Sequence, residues 1–142
     1  MGSQQSIQKC NFEDVLQSIQ RNGSVLLINT LGENEQSCLI LTTIPIQNET
    51  TYINSLLAKN INVRIIVYGK NSNDESVYKK YNQFIQLGFT NICVYIGGMF
   101  EWLCLQDIYG DEEFPTTTKE LDILKFKSTS KYIQPLAIEN ID

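Results

Sequence analysis

The chain has 142 residues, 42% of them hydrophobic, which suits one globular domain with a single core. Its formal net charge is −5 and its 11 basic residues form no run, so nucleic acid is not an expected partner. Histidine is absent and the four cysteines show no C-x-x-C spacing, so we expect no metal site and no cofactor. No apolar run is long enough to cross a bilayer, and we expect a cytoplasmic protein with free thiols.

Residues 1–10 are predicted to form a polar leader that carries a lipidation pattern. The first six residues, MGSQQS, fit the N-myristoylation pattern M-G-x-x-x-[ST], with Gly2 as the acceptor. One myristoyl chain gives marginal, reversible membrane binding, so firm anchoring would also need a palmitate on Cys10 or a multivalent partner. The pattern predicts peripheral membrane association through Gly2, and the alternative is an unmodified polar leader.

Four helices are predicted from apolar residues at helical spacing and from capping residues. Asn11 is a good N-cap for the first helix, and Gly23 is placed to end it. Gly88 is the expected C-terminal stop of the third helix, and Trp102 is the expected core anchor of the fourth. The second, third and fourth helices are expected over residues 50–60, 76–87 and 99–108.

Apolar runs of strand length lie between the predicted helices. They cover residues 25–28, 38–46, 63–68 and 92–96. Strands that alternate with helices of this length are typical of βαβ units. The predicted fold class is therefore α/β, with a mainly parallel central sheet and helices on both faces. Further along, threonines 116–118 are predicted to cap a short helix.

The most informative segment follows the apolar run that ends at Tyr68. Gly69 stands at the tip of this strand, and a polar loop leads from it into the third helix. Loops of this kind at a helix N-terminus bind anions in α/β proteins. Here the strand tip carries no nucleophile, and two acids of the loop are expected to cap the helix themselves, unless the loop amides bind a small anion. The loop residues are Lys70, Asn71, Ser72, Asn73, Asp74 and Glu75.

Three short motifs resemble those of the rhodanese-like domain family. Residues 88–92 read GFTNI and residues 97–102 read GGMFEW, similar to the family's GF-x-N-V strand and GG-x-x-x-W turn. Residues 27–31, LINTL, lie where the family commonly has LIDVR. The resemblance implies a three-layer α/β sandwich over residues 11–114. Residues 115–142 form a C-terminal extension for which the family supplies no template.

The departures from the family pattern bear on activity. In the family the central strand ends in a cysteine that opens the active-site loop, and Gly69 replaces it here. Asn29 and Leu31 replace an Asp and an Arg, and the loop is longer than in sulfurtransferases, as in the phosphatase branch. The resemblance therefore implies a vestigial loop over residues 69–75 and no enzymatic activity. We expect a protein-binding or scaffold module with a protein partner and no small-molecule substrate.

Three alternatives remain open from the sequence. One is a sulfurtransferase or phosphatase-like enzyme with a displaced thiol, for which Cys38 is the candidate because Cys93 and Cys104 lie in apolar elements. Another is a structural component of a viral assembly, because residues 97–110 resemble rhodanese-like proteins of large DNA viruses or protists and the Asn- and Ile-rich composition fits an AT-rich genome. That hypothesis implies a virion-associated location.

The third alternative concerns the C-terminal tail. The apolar tail after residue 128 either covers the fourth helix or leaves it free for a partner.

Mass spectrometry of the full chain expressed in a eukaryotic host is expected to show a myristoyl group on Gly2, because the transferase reads this pattern once Met1 is removed. Gly2→Ala is the control, because it replaces the glycine that the pattern requires as acceptor. An unmodified Gly2 in that host would show that the leader is a plain polar segment.

Overall fold

The computed structural model describes residues 6–21, 24–130 and 132. The strands are β1 (Lys9–Cys10), β2 (Val25–Asn29), β3 (Thr43–Ile44), β4 (Arg64–Tyr68) and β5 (Ile92–Tyr95). The helices are α1 (Phe12–Gln20), α2 (Ile46–Lys59), α3 (Ser76–Leu87) and α4 (Gly98–Tyr109), with short 3-10 turns at Glu33–Glu35 and Ile123–Phe126.

The strands form one five-stranded parallel sheet in the order β1-β5-β4-β2-β3. Strand β4 lies at its centre, paired with β2 on one side and β5 on the other. The predicted α/β class and parallel sheet are confirmed. Strand β1 was not predicted, because a strand of two residues carries no readable pattern. It lies inside the segment predicted as a leader.

Both faces of the sheet are covered by helices. On β4, Ile66 and Tyr68 face the cluster that contains α1 and α4. Ile65 and Val67 point the other way, into the cluster that contains α2 and α3. This three-layer arrangement explains why β4 reads as a continuous apolar run rather than an alternating one.

Local signals set the ends of two helices where they were predicted. The Asn11 side chain accepts the N–H groups of Glu13 and Asp14 at 2.9 and 3.3 Å, and Asp14 accepts the N–H of Asn11 at 3.0 Å. Helix α3 covers the predicted residues and ends at Gly88, whose φ of +111° favours glycine. Gly23, the predicted stop of α1, lies outside the described residues.

Helices α2 and α4 begin earlier than predicted. Pro45, with φ −60° and ψ 150°, occupies the N-cap of α2, and the helix starts directly after it at Ile46. Helix α4 starts at Gly98, one residue before its expected start at Met99. Boundary shifts of this size follow from cap geometry, which apolar spacing does not report.

The prediction of one extended segment over residues 38–46 is wrong. Only Thr43–Ile44 pairs with the sheet, because Thr42 adopts a φ of +72°, which breaks the extended chain. Upstream of this break, Ile40 pairs with Thr116 in an antiparallel bridge. The apolar residues before Thr42 therefore belong to a contact with the C-terminal part of the chain.

The helix predicted after threonines 116–118 is also absent. The hydroxyls of Thr117 and Thr118 donate to the Ser37 carbonyl, each at 2.9 Å, so they do not cap a helix. The helical part of this segment is limited to the turn Ile123–Phe126.

Residues 114–126 cover α4. Trp102 is fully buried, as expected of a core anchor, and its indole N–H donates to Pro115 O at 3.1 Å. Phe114 packs edge-on against the indole with ring centroids 5.1 Å apart, and Phe126 is buried in the same cluster. The covering of α4 thus comes from residues before the predicted tail, while residues 131 and 133–142 lie outside the described part of the chain.

Phe126→Ala is expected to lower the free energy of unfolding by about 3–5 kcal/mol, because it leaves a cavity between α4 and the C-terminal segment. The matched control is Leu124→Ala in the same turn. Leu124 is 64% exposed, so its loss should change stability by no more than about 0.5 kcal/mol. Urea unfolding measures both, and equal small losses would contradict the packing described.

Candidate functional site

The candidate site lies where the carboxyl ends of β2, β4 and β5 meet at one edge of the sheet. Gly69 follows the central strand β4, and residues 70–75 connect it to α3. The glycines 97 and 98 that open α4 lie beside this loop. Ligand sites of parallel α/β sheets occur at this edge, so the loop predicted from the sequence is correctly placed for one.

Gly69 occupies a position with no room for a side chain. A Cβ built there would lie against the Oδ2 atom of Asp74, 2.8 Å from Thr30 Oγ1 and 2.9 Å from Val77 Cγ1. Contacts this close require neighbouring atoms to move. The cysteine that the family pattern would place here therefore does not fit the loop as it is folded.

Asp74 fills the interior of the loop with its carboxylate. Its Oδ2 accepts the backbone N–H of Lys70 at 2.9 Å. Its Oδ1 accepts the N–H of Ser76 at 3.0 Å and lies 2.6 Å from Ser76 Oγ. Asp74 therefore satisfies the start of α3, as predicted, whereas Glu75 is exposed and its side chain makes no capping hydrogen bond. The expectation that both acids cap the helix holds for Asp74 alone.

The loop also uses its own backbone donors internally. Besides the N–H groups of Lys70 and Ser76, the N–H of Asn73 donates to Asn71 Oδ1 at 2.9 Å. The N–H of Asp74 donates to Asn71 O at 3.2 Å. A loop that binds an anion points several backbone N–H groups at a common centre. Here four such groups are directed to partners within the loop, which opposes binding of an external anion.

The carbonyls of the loop are directed at the N-terminus of α4. Gly69 O accepts the N–H of Met99 at 2.9 Å, and Lys70 O accepts the N–H of Phe100 at 2.8 Å. Gly98 allows this approach, because its φ is +67° and a Cβ there would lie 2.7 Å from Gly69 O. Two of the free N–H groups of this helix end are thus satisfied by the loop itself.

Two side chains of the loop tie it to other segments. Lys70 forms an ion pair with Glu35, with 3.3 Å between Nζ and Oε2. Asn71 donates from Nδ2 to Phe126 O at 2.9 Å, which links the loop to the C-terminal segment. The sequence contained no signal for either contact, because both partners lie far from the loop along the chain.

Asn29 supports the same edge of the sheet with neutral hydrogen bonds. Its amide is buried and exchanges two hydrogen bonds with the amide of Gln36, at 2.8 and 3.1 Å. Its Nδ2 also donates to Ile44 O at 3.2 Å, and its Oδ1 accepts the N–H of Leu31 at 3.0 Å. An amide pair thus holds the chain after β2 where the family pattern has charged residues.

The Tyr68 hydroxyl supports the adjoining segment. It lies 2.8 Å from Thr43 Oγ1 and accepts the N–H of Ile40 at 3.2 Å. Complete burial raises the pKa of Tyr68 above its ordinary value, so the phenol stays neutral and keeps both contacts.

No described thiol replaces the missing nucleophile at the strand tip. Cys38, the displaced thiol suggested by the sequence, is buried and donates from Sγ to Thr118 O at 3.3 Å. The pKa of Cys104 is raised by burial and by the nearby carboxylates of Asp107 and Glu101. The raised pKa disfavours the thiolate form of Cys104, which is the nucleophilic form, and the Cys38 thiol is engaged by a backbone carbonyl.

Cys93 has different surroundings. A hydrogen bond from the Cys10 thiol and the positive charge of Arg64 lower the pKa of Cys93, against the effect of burial. Cys93 lies opposite Ile66 in the sheet, set back along the strands from Gly69. No basic residue stands next to Cys93 in the sequence. The pairing of β1, β4 and β5 is what brings these three residues together.

Metal binding and membrane insertion find no structural support in the described part of the chain. Within residues 6–21, 24–130 and 132, no three His, Cys, Asp or Glu side chains are grouped to hold a metal ion. Among the helices of these same ranges, none is long and apolar enough to cross a membrane.

Gly69→Ala is expected to lower the free energy of unfolding by about 1–3 kcal/mol, because the added methyl displaces the Asp74 carboxylate. This loss should shrink by about 0.5 kcal/mol or more in an Asp74→Ala background, as measured by a double-mutant cycle in urea. Gly32→Ala is the control, since its backbone is extended and its nearest neighbours are movable side-chain ends at 3.1 and 3.2 Å. Additive losses for residues 69 and 74 would contradict the described contact.

Solved structures of similar fold come from bacteria and yeast. The BH2092 protein of Bacillus halodurans is similar with a TM-score of 0.57 and 18% identity, over 92% of this chain and 89% of that one. The Alr3790 protein of Anabaena sp. gives 0.53 and 18%, over 94% of both chains. Yeast Ygr203w, described as a protein tyrosine phosphatase of the Rhodanese family, gives 0.57 and 15%, over 85% of this chain and 99% of its own. Likeness at these identities shows the fold alone.

The family of the chain is assigned from its sequence. No curated protein sequence matches the chain. The Rhodanese-like domain, however, matches residues 14–104, from the first turn of α1 to the middle of α4. This match covers more than half of the chain and includes Gly69 and its loop. The chain belongs to the rhodanese-like domain family.

Proposed function

We propose that this protein is a non-catalytic member of its family and acts as a protein-binding or scaffold module. The observation that carries the proposal is the Asp74 carboxylate inside the loop. It accepts the N–H groups of Lys70 and Ser76 and lies against the empty Cβ position of Gly69. One tethered acid thus stands where both the nucleophile and a bound anion would be needed.

Electrostatics favour the same conclusion. Thiosulfate and phosphate esters are anions, and a carboxylate at the centre of the loop repels them. The one lysine of the loop, Lys70, is already paired with Glu35 at 3.3 Å. Ser76 has no histidine to serve as its base, since the chain contains none. The loop therefore offers sulfur transfer and phosphoryl transfer no nucleophile, no general base and no set of backbone N–H groups directed at an anion.

A displaced thiol is the second candidate, and the observation that favours it is the set of neighbours around Cys93. Arg64 and the Cys10 thiol both stabilise its thiolate form. Against it, Cys93 is only 7% exposed and has no described link to the loop of residues 69–75. Cys38 is the weaker choice, because its Sγ donates to a carbonyl.

The proposal leaves three locations open for the protein. A scaffold module would place its partner in the cytoplasm, at a membrane through Gly2, or on an assembled particle. Gly2 lies outside the described residues. The myristoylation, membrane and virion assignments therefore stay predictions from the sequence.

We expect no thiosulfate:cyanide sulfurtransferase turnover and no aryl phosphate hydrolysis by the full chain, with an active rhodanese and an active phosphatase as positive controls. Gly69→Cys alone should also be inactive, because Asp74 still occupies the loop. The informative comparison is Gly69→Cys with Asp74→Ala. Removing the carboxylate frees the two backbone N–H groups, so any recovery of sulfur transfer should appear only in this double variant.

Clear turnover by the unmodified chain would overturn the proposal. Persulfide trapping after exposure to thiosulfate then separates the two candidates. Label on Cys93 that is lost in Cys93→Ser but kept in Cys38→Ser would support the displaced thiol.

A further inference from the structure

Two cysteines lie on adjacent strands of the sheet, away from the loop of residues 69–75. Strand β1 pairs with β5, and Cys10 lies opposite Tyr95. Cys93 stands two residues before Tyr95 on β5, so Cys10 and Cys93 lie on the same face of the sheet as a diagonal pair. Both contact the core cluster that contains α1 and α4. The fold thus brings together two thiols that are far apart in the sequence.

The two thiols interact directly. The Cys10 thiol donates a hydrogen bond to Cys93, and this bond, together with the charge of Arg64, lowers the pKa of Cys93 against the opposing effects of burial and of Asp14. The same hydrogen bond and burial raise the pKa of Cys10. The pair therefore ionises at Cys93 and keeps its remaining proton on Cys10.

A small oxidant can approach this pair from the amino ends of the strands. A cavity of about 330 Å³ lies there, between α1 and the starts of β2 and β4. Arg64 and Ile66 line it, and Ile66 lies directly opposite Cys93 in the sheet. A water molecule takes up about 30 Å³ in the liquid, so a cavity of this size admits a small hydroperoxide. Cys93 itself is 7% exposed, which keeps larger reagents away from it.

We propose that Cys10 and Cys93 form a peroxide-sensitive dithiol, in which a hydroperoxide converts the two thiols into a disulfide between β1 and β5. Such a disulfide is returned to two thiols by exchange with a thiol reductant. The inference goes beyond the proposed function, because the dithiol uses no residue of the loop and passes no sulfur to an acceptor.

Oxidation of the pair takes two steps. The Cys93 thiolate attacks one oxygen of the hydroperoxide, so that an S–O bond forms and the O–O bond breaks, and the other oxygen leaves with the proton that Cys93 released. The Cys10 sulfur then attacks the Cys93 sulfenic acid, so that the S–S bond forms, the S–O bond breaks and hydroxide leaves with the Cys10 proton as water. The two sulfurs together lose two electrons, and the oxygens of the hydroperoxide accept them.

Formation of the disulfide requires a small movement of β1. Diagonal residues on adjacent strands have Cα atoms about 7–8 Å apart, whereas a disulfide joins Cα atoms about 4.4–6.8 Å apart. Strand β1 has only two residues and lies at the edge of the sheet beside β5, so it can shift without breaking the pairing of the central strands. Asn11, the N-cap of α1, follows Cys10 directly and should report this shift.

The test is treatment of the full chain with hydrogen peroxide, followed by alkylation and peptide mass spectrometry. We expect a disulfide between residues 10 and 93 within one chain, reversed by dithiothreitol. Cys10→Ser should accumulate a sulfenic acid on Cys93 that dimedone traps, whereas Cys93→Ser should leave Cys10 as a thiol. Cys104→Ser is the control, and its rate of disulfide formation should stay within about twofold of that of the unmodified chain.

A second measurement keeps the inference testable if the cysteine variants fail to fold. In the unmodified chain Cys93 should react with peroxide about fivefold faster than Cys104 or more, because the pKa of Cys104 is raised. Arg64→Gln should slow the reaction of Cys93 by about threefold or more, because it removes the positive charge beside the thiolate. Arg21→Gln removes the same charge from the same cavity but is not a neighbour of this thiol, so its effect should stay within about twofold.

Three results would overturn the inference. They are a peroxide-induced disulfide that involves Cys38 or Cys104, equal reactivity of all four thiols, and a disulfide that joins two copies of the chain in place of residues 10 and 93 of one copy. An amide spectrum in which Asn11 does not change on oxidation would show that β1 stays in place and would also contradict it. Sulfurtransferase turnover by the unmodified chain would instead overturn the proposed function and leave the dithiol unaffected.

Discussion

The hydrogen bonds of the Asp74 carboxylate are the constraint on which the candidate site depends. They join the first residue of the loop, through the Lys70 N–H at 2.9 Å, to the first residue of α3, through the Ser76 N–H at 3.0 Å. Asp74 is partly buried, and its two carboxylate oxygens hold the two ends of the loop at once. Gly69 follows from this arrangement, because any side chain at the strand tip would compete with the carboxylate for the same space.

The surrounding fold holds this loop against α4 and, through α4, against the C-terminal segment. Loop carbonyls satisfy the N-terminus of α4, with Gly69 O and Met99 N 2.9 Å apart, and α4 is in turn covered by residues 114–126. The C-terminal segment is therefore part of the same packed unit as the site. The loop directs its backbone N–H groups at acceptors within the loop and two of its carbonyls at the N-terminus of α4. This closed hydrogen bonding is what supports the proposal of a non-catalytic role.

The sequence predicted the parts of the fold that depend on local pattern. The apolar run before Gly69, the capped start of α1 at Asn11 and the glycine stop at Gly88 each act within a few residues, and each was placed correctly. The parts that depend on distant contacts were missed. Strand β1 has only two residues, and the positive φ of Thr42 leaves no trace in apolar spacing. The acidic loop and the glycine at the end of β4 were predicted from the sequence, but the hydrogen bond from Asn71 to Phe126 required the folded chain.

We infer that the Asp74 carboxylate occupies the place of an external anion. The most direct test is an NMR titration of the full chain with thiosulfate, followed at the backbone amides of Lys70 and Ser76, with Asp74→Ala as the comparison. We expect no saturable shift at these two amides in the unmodified chain and a saturable shift once the carboxylate is removed. A saturable shift at both amides in the unmodified chain would contradict it.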